Sequence, residues 1–229
     1  MNLEPSGYIN LEMLNIITEE LRDLEREYRE HKALLLTEDD LQNHLFNRIR
    51  NRFPDNVHTM DRGITGCAIH SEVKFYDQNG QLTLIPDLCI IPPGELSIYH
   101  SVMYGTTPKK GPKYKRLPSK NFEFSGDALV IELKFCRKKG GINAKDILTY
   151  KNDLEKIKHL QQIRSTRTQG RNRILGILAV FNKTDTGSTR FENFVRENPT
   201  DGTIKLFYGS GLVDFSQFDP YLFPDYRTI

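Results

Sequence analysis

The chain has 229 residues, a formal net charge of +2, 38% hydrophobic and 27% charged residues. This suits one large globular domain or a domain with appendages, and the charge argues neither for nor against nucleic acid, because local clustering decides that. No run of about 18 apolar residues is present, so no membrane span is expected. The opening Met-Asn-Leu-Glu-Pro-Ser-Gly lacks the basic start and apolar core of a signal peptide. Cys67, Cys89 and Cys136 have no Cys-x-x-Cys spacing, which argues against a structural zinc site and fits a reducing cytoplasm.

In chain order, Leu14, Ile17, Leu21, Leu24 and Tyr28 alternate spacings of three and four, which predicts a charged helix over residues 10–33. The seam is about two heptads long, shorter than a coiled coil needs. It packs on the domain's own surface or makes a homodimer contact. Thr37 is an N-cap, followed by Glu38, Asp39 and Asp40 at the positive end of a second helix. Leu41, Leu45, Ile49 and Phe53 form its buried stripe, and Glu38 sits at the end of that stripe. Ala68 to Tyr76 reads as a strand, Asp77-Gln78-Asn79-Gly80 as a hairpin turn, and Leu82 to Ile91 as the return strand carrying Asp87 after Pro86. Glu72, in the first of these strands, reads as a partner of Lys74 or a surface residue ahead of a further site residue.

Residues 92–127 form an irregular insertion. Its basic run, Lys109, Lys110, Lys113, Lys115, Arg116 and Lys120 with Tyr104 and Tyr114 interleaved, suits either a solvated loop or contact with a phosphate backbone. Ala128 to Phe135 is then a buried strand. Alternation places Glu132 and Lys134 on one face, with Leu129, Ile131, Leu133 and Phe135 on the other. An acid and an ammonium in an apolar strand are costly to bury unless paired, hydrated or bound to metal.

The basic loop Arg137-Lys138-Lys139-Gly140-Gly141 leads to a helix capped by Asn143. Ile147 and Leu154 mark its apolar face, with Tyr150 and Lys151 beside it, and Asp153 and Lys156 read as an exposed ion pair. Residues 164–173 read as a polar linker. Ile174 to Phe181 is the cleanest buried strand, expected next to the Glu132 strand through a right-handed crossover. A turn and short helix over 182–198, a strand over 203–208 and an irregular aromatic tail complete the chain.

Pro86-Asp87, an intervening segment and Glu132-Leu133-Lys134 resemble the signature of the PD-(D/E)XK nuclease superfamily. The resemblance covers roughly residues 37–182. It implies an α/β restriction-endonuclease-like core, a mixed central sheet flanked by helices in the order α-β-β-β-α-β. Residues 1–36 would be an N-terminal helical extension and residues 183–229 C-terminal additions packed on the core. It further implies a metal-dependent phosphodiesterase. Asp87, Glu132 and the backbone carbonyl of Leu133 would hold Mg²⁺ or Mn²⁺, Lys134 would act in catalysis, and Glu38 would be the acid supplied by the preceding helix. Tyr150 and Lys151 would be accessory residues on the following helix.

Nucleic acid, DNA ahead of RNA, is the expected partner. Lys109, Lys110, Lys113, Lys115, Arg116, Arg137, Lys138 and Lys139 would contact it. No separate DNA-reading module is visible, so sequence specificity would come from the insertion, the termini or a sensor or specificity partner. The setting would be bacterial defence, repair or a mobile element. The alternative is a catalytically silent member of the same fold that binds nucleic acid or partner proteins.

Overall fold

Apolar, β-branched runs flanked by charged helices build a mixed α/β structure in which helices cover both faces of a five-stranded sheet. In the computed structural model, residues 9–54, 56–76, 82–98 and 122–215 are described, together with the backbone of 103–107 and 111–115. The sheet strands are β1 (Ile69–Ser71), β2 (Leu88–Ile90), β3 (Ala128–Cys136), β4 (Ile174–Asn182) and β5 (Ile204–Ser210). They lie in sequence order across the sheet. β2 runs antiparallel to both β1 and β3, whereas β3, β4 and β5 are parallel. The helices are α1 (Leu11–Glu30), α2 (Glu38–Arg50), α3 (Ala144–Thr168) and α4 (Ser188–Glu197).

Period-two alternation on β3 divides the core. Leu129, Ile131 and Leu133 face one layer, with Leu175, Ile177, Ala179 and Phe181 of β4 and the apolar stripes of α1 and α2. Ala128 and Val130 face the other, with Leu178 and Val180 of β4 and residues from α3 and α4. Every position of β4 is buried, as expected of a parallel strand covered on both faces.

α1 lies against β5, β4 and α2. Leu14, Ile17, Leu21, Leu24 and Tyr28 are fully buried there. The heptad-like seam is thus satisfied inside the chain, against its own sheet and α2. At the start of α2, the Thr37 hydroxyl accepts from the Asp40 N–H at 3.0 Å and the Asp40 carboxylate accepts from the Thr37 N–H at 2.9 Å. This capping box occupies Asp40, and Asp39 is exposed.

Four expectations are corrected. The strand expected over 68–76 splits, with Ile69–Ser71 in the sheet and Phe75–Tyr76 paired to Leu82–Leu84 in a separate ribbon. Glu72, at the split, has φ 52°, a left-handed conformation that breaks strand geometry. The expected return strand is interrupted at Ile85-Pro86-Asp87, because proline has no N–H to donate; the turn over 77–80 lies outside the described residues. The insertion is more regular than expected: Leu96–Ser97 pairs with Glu123–Phe124, and Met103–Thr107 with Gly111–Lys115. Finally, α3 runs through the first half of the expected linker to Thr168. Arg164 holds its end to the fold, donating to the Gly126 carbonyl and lying 4.3 Å from the Phe124 ring centroid.

Candidate active site

The β2–β3 ladder pairs Leu129 with Ile90, Val130 with Cys89 and Ile131 with Leu88, and ends there. β3 continues for five residues beyond Ile131. Two of its N–H groups past that point are met by carboxylates instead of a strand. Asp87 Oδ2 accepts from the Leu133 N–H at 2.6 Å, and Glu38 Oε2 accepts from the Phe135 N–H at 2.9 Å. A buried backbone donor needs a partner, so the unfinished ladder itself fixes both acids. The Asp87 carbonyl is held in turn by Gln42 Nε2 at 2.8 Å and the Glu72 N–H at 3.2 Å.

Glu132 and Lys134 project from β3 toward the α3 layer. Lys134 Nζ lies 3.6 Å from Glu132 Oε2, 3.6 Å from Asp153 Oδ2 and 3.7 Å from Glu38 Oε1. It donates to the Leu133 carbonyl at 2.8 Å. Four elements therefore deliver Glu38, Asp87, Glu132 with Lys134, and Asp153 to one place.

Asp153 was not expected here. It is 5% exposed, not part of a surface ion pair. Its Oδ1 accepts from Lys156 Nζ at 2.8 Å, and only Lys156 of that pair faces solvent. The sequence did carry a signal: Asp153 lies between Tyr150 and Ile157 at spacings of three and four, on the buried stripe.

Lys151 is exposed and takes no part in the cluster. Tyr150 is buried in an aromatic group with Phe191 and Phe194, at centroid distances of 6.4 and 6.5 Å. Burial pushes its hydroxyl well above the usual phenol range. Arg137, Lys138 and Lys139 are exposed on the loop after β3, with Lys138 paired to Asp146 at 2.6 Å. Glu72 is exposed and enters the site through its backbone alone. Lys113 and Lys115 belong to the Gly111–Lys115 strand, whereas Lys109, Lys110, Arg116 and Lys120 lie outside the described residues.

The electrostatics follow from burial. Desolvation, with the charges of Asp87 and Asp153, raises the Glu132 carboxyl from 4.5 to about 8 against the opposing pull of Lys134 and Lys156. Desolvation also raises Asp87, opposed by the Leu133 N–H and Lys134. Burial alone would lower Lys134, but Glu38, Asp87, Glu132 and Asp153 together raise it, so the ammonium stays charged.

Among the described residues, no three His, Cys, Asp or Glu side chains are drawn together closely enough to hold a metal as they stand. The Lys134 ammonium lies between the carboxylates. The donor set nevertheless fits a hard divalent cation. Glu132 Oε1 is buried without a hydrogen-bond partner. With every group ionised, four carboxylates against Lys134 and Lys156 leave two uncompensated negative charges. No family model, curated protein or solved structure matches the chain. No helix among the described residues is long and apolar enough to cross a membrane.

Proposed function

We propose that the protein is a divalent-metal-dependent nuclease of the PD-(D/E)XK type, hydrolysing phosphodiester bonds of nucleic acid, with DNA ranked ahead of RNA as the substrate. The observation that carries this reading is the convergence of Asp87, Glu132, Lys134 and Glu38 where β2 leaves β3. A purely structural ion pair does not need carboxylates from three further elements around one ammonium. Strands β1 to β4 in spatial sequence, with a helix before them and a helix crossing between parallel β3 and β4, support the restriction-endonuclease-like core.

In this reading Asp87, Glu132 and the Leu133 carbonyl hold Mg²⁺ or Mn²⁺. When bound, the ion supplies Lewis-acid polarisation of the phosphate and acidifies water at neutral pH. The chain's own groups do the rest. Lys134, kept charged by its acidic surroundings, orients the attacking water and stabilises negative charge developing on the phosphate. Glu38 anchors the Phe135 backbone with one oxygen and faces Lys134 with the other. The exposed Arg137 and Lys139 supply sequence-independent contact to the phosphate backbone.

The test is cleavage of supercoiled plasmid, linear duplex, single-stranded DNA and RNA with Mg²⁺, Mn²⁺ or EDTA. Wild type should cut only with metal. Asp87→Ala and Lys134→Ala should each lower kcat by about 10²–10³-fold, the loss expected when a preorganised electrostatic group is removed. A second reading, a silent module of the same fold, draws on the central position of Lys134, which partly neutralises the carboxylates without a cation. Wild type that neither cuts any substrate nor binds Mn²⁺ would favour that module and overturn the nuclease.

A further inference from the structure

Asp153 is a charged side chain on the buried stripe of a helix, beside Tyr150, Leu154 and Ile157. Burying a carboxylate there is costly, and an apolar residue of similar volume would pack at least as well. Lys156 does not account for the burial, because it is half exposed and could pair equally well with an acid at the surface. What burial achieves is an ion pair with Lys134 from α3, which packs on the other face of the sheet from the α2 that carries Glu38.

We infer that Asp153 is a positioning residue, holding the Lys134 ammonium between the carboxylates so that it does not collapse onto Glu132. The geometry is that of a balanced pull. Lys134 Nζ stands 3.6–3.7 Å from acids on α2, β3 and α3, beyond close ion-pair contact with any of them. Its close bond is to the Leu133 carbonyl. Two of the three acids are restrained independently: Glu38 by the Phe135 N–H, and Asp153 by Lys156. Glu132 is the one with a buried oxygen lacking any partner. Without Asp153 the pull from α3 is lost, and the ammonium shifts toward Glu38 and toward the Glu132 carboxyl, which keeps an acceptor oxygen in either protonation state. An ammonium seated on Glu132 would then occupy the carboxylate that the catalytic reading needs free. Lys156 completes the device by neutralising the far oxygen of Asp153 from the solvent side.

The test uses the full chain with Asp153→Asn and Asp153→Leu. Its activity arm rests on the nuclease reading; its spectroscopic arm does not. In the activity arm both variants should lose about 10- to 100-fold in kcat, the usual effect of removing a group that orients a site residue, with KM within about twofold. Asp153→Leu should keep a melting temperature at or above wild type. Either variant cutting at the wild-type rate would overturn the inference, as would a kcat loss matched by unfolding. In the second arm, heteronuclear NMR follows the Lys134 side chain in metal-free protein. Its signals should be distinct in wild type and displaced in Asp153→Asn, with backbone signals away from the site unchanged. Unchanged Lys134 signals would overturn the inference. If wild type cuts nothing, the nuclease reading fails while this arm still decides the role of Asp153.

Discussion

Glu132 has two demands on it that conflict in the metal-free chain. Its strand position buries it at 4% exposure, and its neighbours Asp87 and Asp153 add negative charge. The carboxyl responds by holding a proton up to about pH 8. The unfolded chain loses that proton near the ordinary value of 4.5. Between those limits the folded state binds more protons than the unfolded state, so stability falls as pH rises, by about 1.4 kcal/mol per pH unit. Denaturant unfolding of EDTA-treated protein from about pH 5 to pH 8 should show this slope. Glu132→Gln keeps the shape, removes the titration and should flatten the slope; an unchanged slope would assign the proton elsewhere. Divalent cation should stabilise wild type in this window and leave Glu132→Gln nearly unaffected, because a ligand stabilises only the state that binds it.

At the scale of elements, the site depends on where secondary structure stops. The β2–β3 ladder ends at Ile131, and the start of α2 comes close enough for Glu38 to reach Phe135. Thr37→Ala removes half of the capping box and should cost about 1 kcal/mol. It should also lower nuclease kcat more than that loss of stability explains, because the first turn of α2 carries Glu38. Normal kcat in a destabilised Thr37→Ala protein would separate the helix start from the chemistry. Much of this was legible in the sequence. The pattern Thr37…Asp40 specified the cap, the alternation on β3 specified which face holds Glu132 and Lys134, and Asn143 specified the start of α3. The role of the ladder's end was not legible. Which N–H groups remain without a strand partner depends on register, and register here is set by contacts between residues some 40 positions apart. Asp153 was missed for a different reason. The i,i+3 relation to Lys156 is an ordinary surface pairing on a helix, and it masked a residue that the apolar spacing put inside. Lys151 erred the other way: it stands four residues after Ile147 and three before Leu154, yet the buried stripe runs through Tyr150, Asp153, Leu154 and Ile157 and leaves Lys151 exposed.

For the whole molecule, α1 and β5 make the sheet's far half as much a part of the fold as the half bearing the site. β5 pairs along seven positions with β4, and α1 closes the face formed by Leu175, Ile177, Ala179, Phe181 and Phe207. Charge locks this layer to α2: the buried Glu20 of α1 accepts from Arg52 Nε at 2.6 Å, and Arg48 lies 3.8 Å from its other oxygen. Toward the C-terminus of α1, Ser210 of β5 donates its N–H to Glu25 at 2.9 Å and accepts from Arg29 Nε at 3.0 Å through its carbonyl. The motif from Asp87 to Lys134 thus sits in a sheet whose opposite edge is held by a helix near the start of the chain. Leu21 is fully buried in that helix, so Leu21→Ala should cost about 2–5 kcal/mol. Because Leu21 meets the chain's own sheet, the loss should be independent of protein concentration. An obligate dimer built on the seam would instead give a melting temperature that rises with concentration in wild type and a mutational cost that appears as dissociation. Unfolding of both proteins across a hundredfold range of concentration, followed by light scattering, separates the two. A concentration-independent loss identifies the seam as core, and a dimer that dissociates in Leu21→Ala would mean that α1 serves a second copy as well as its own sheet.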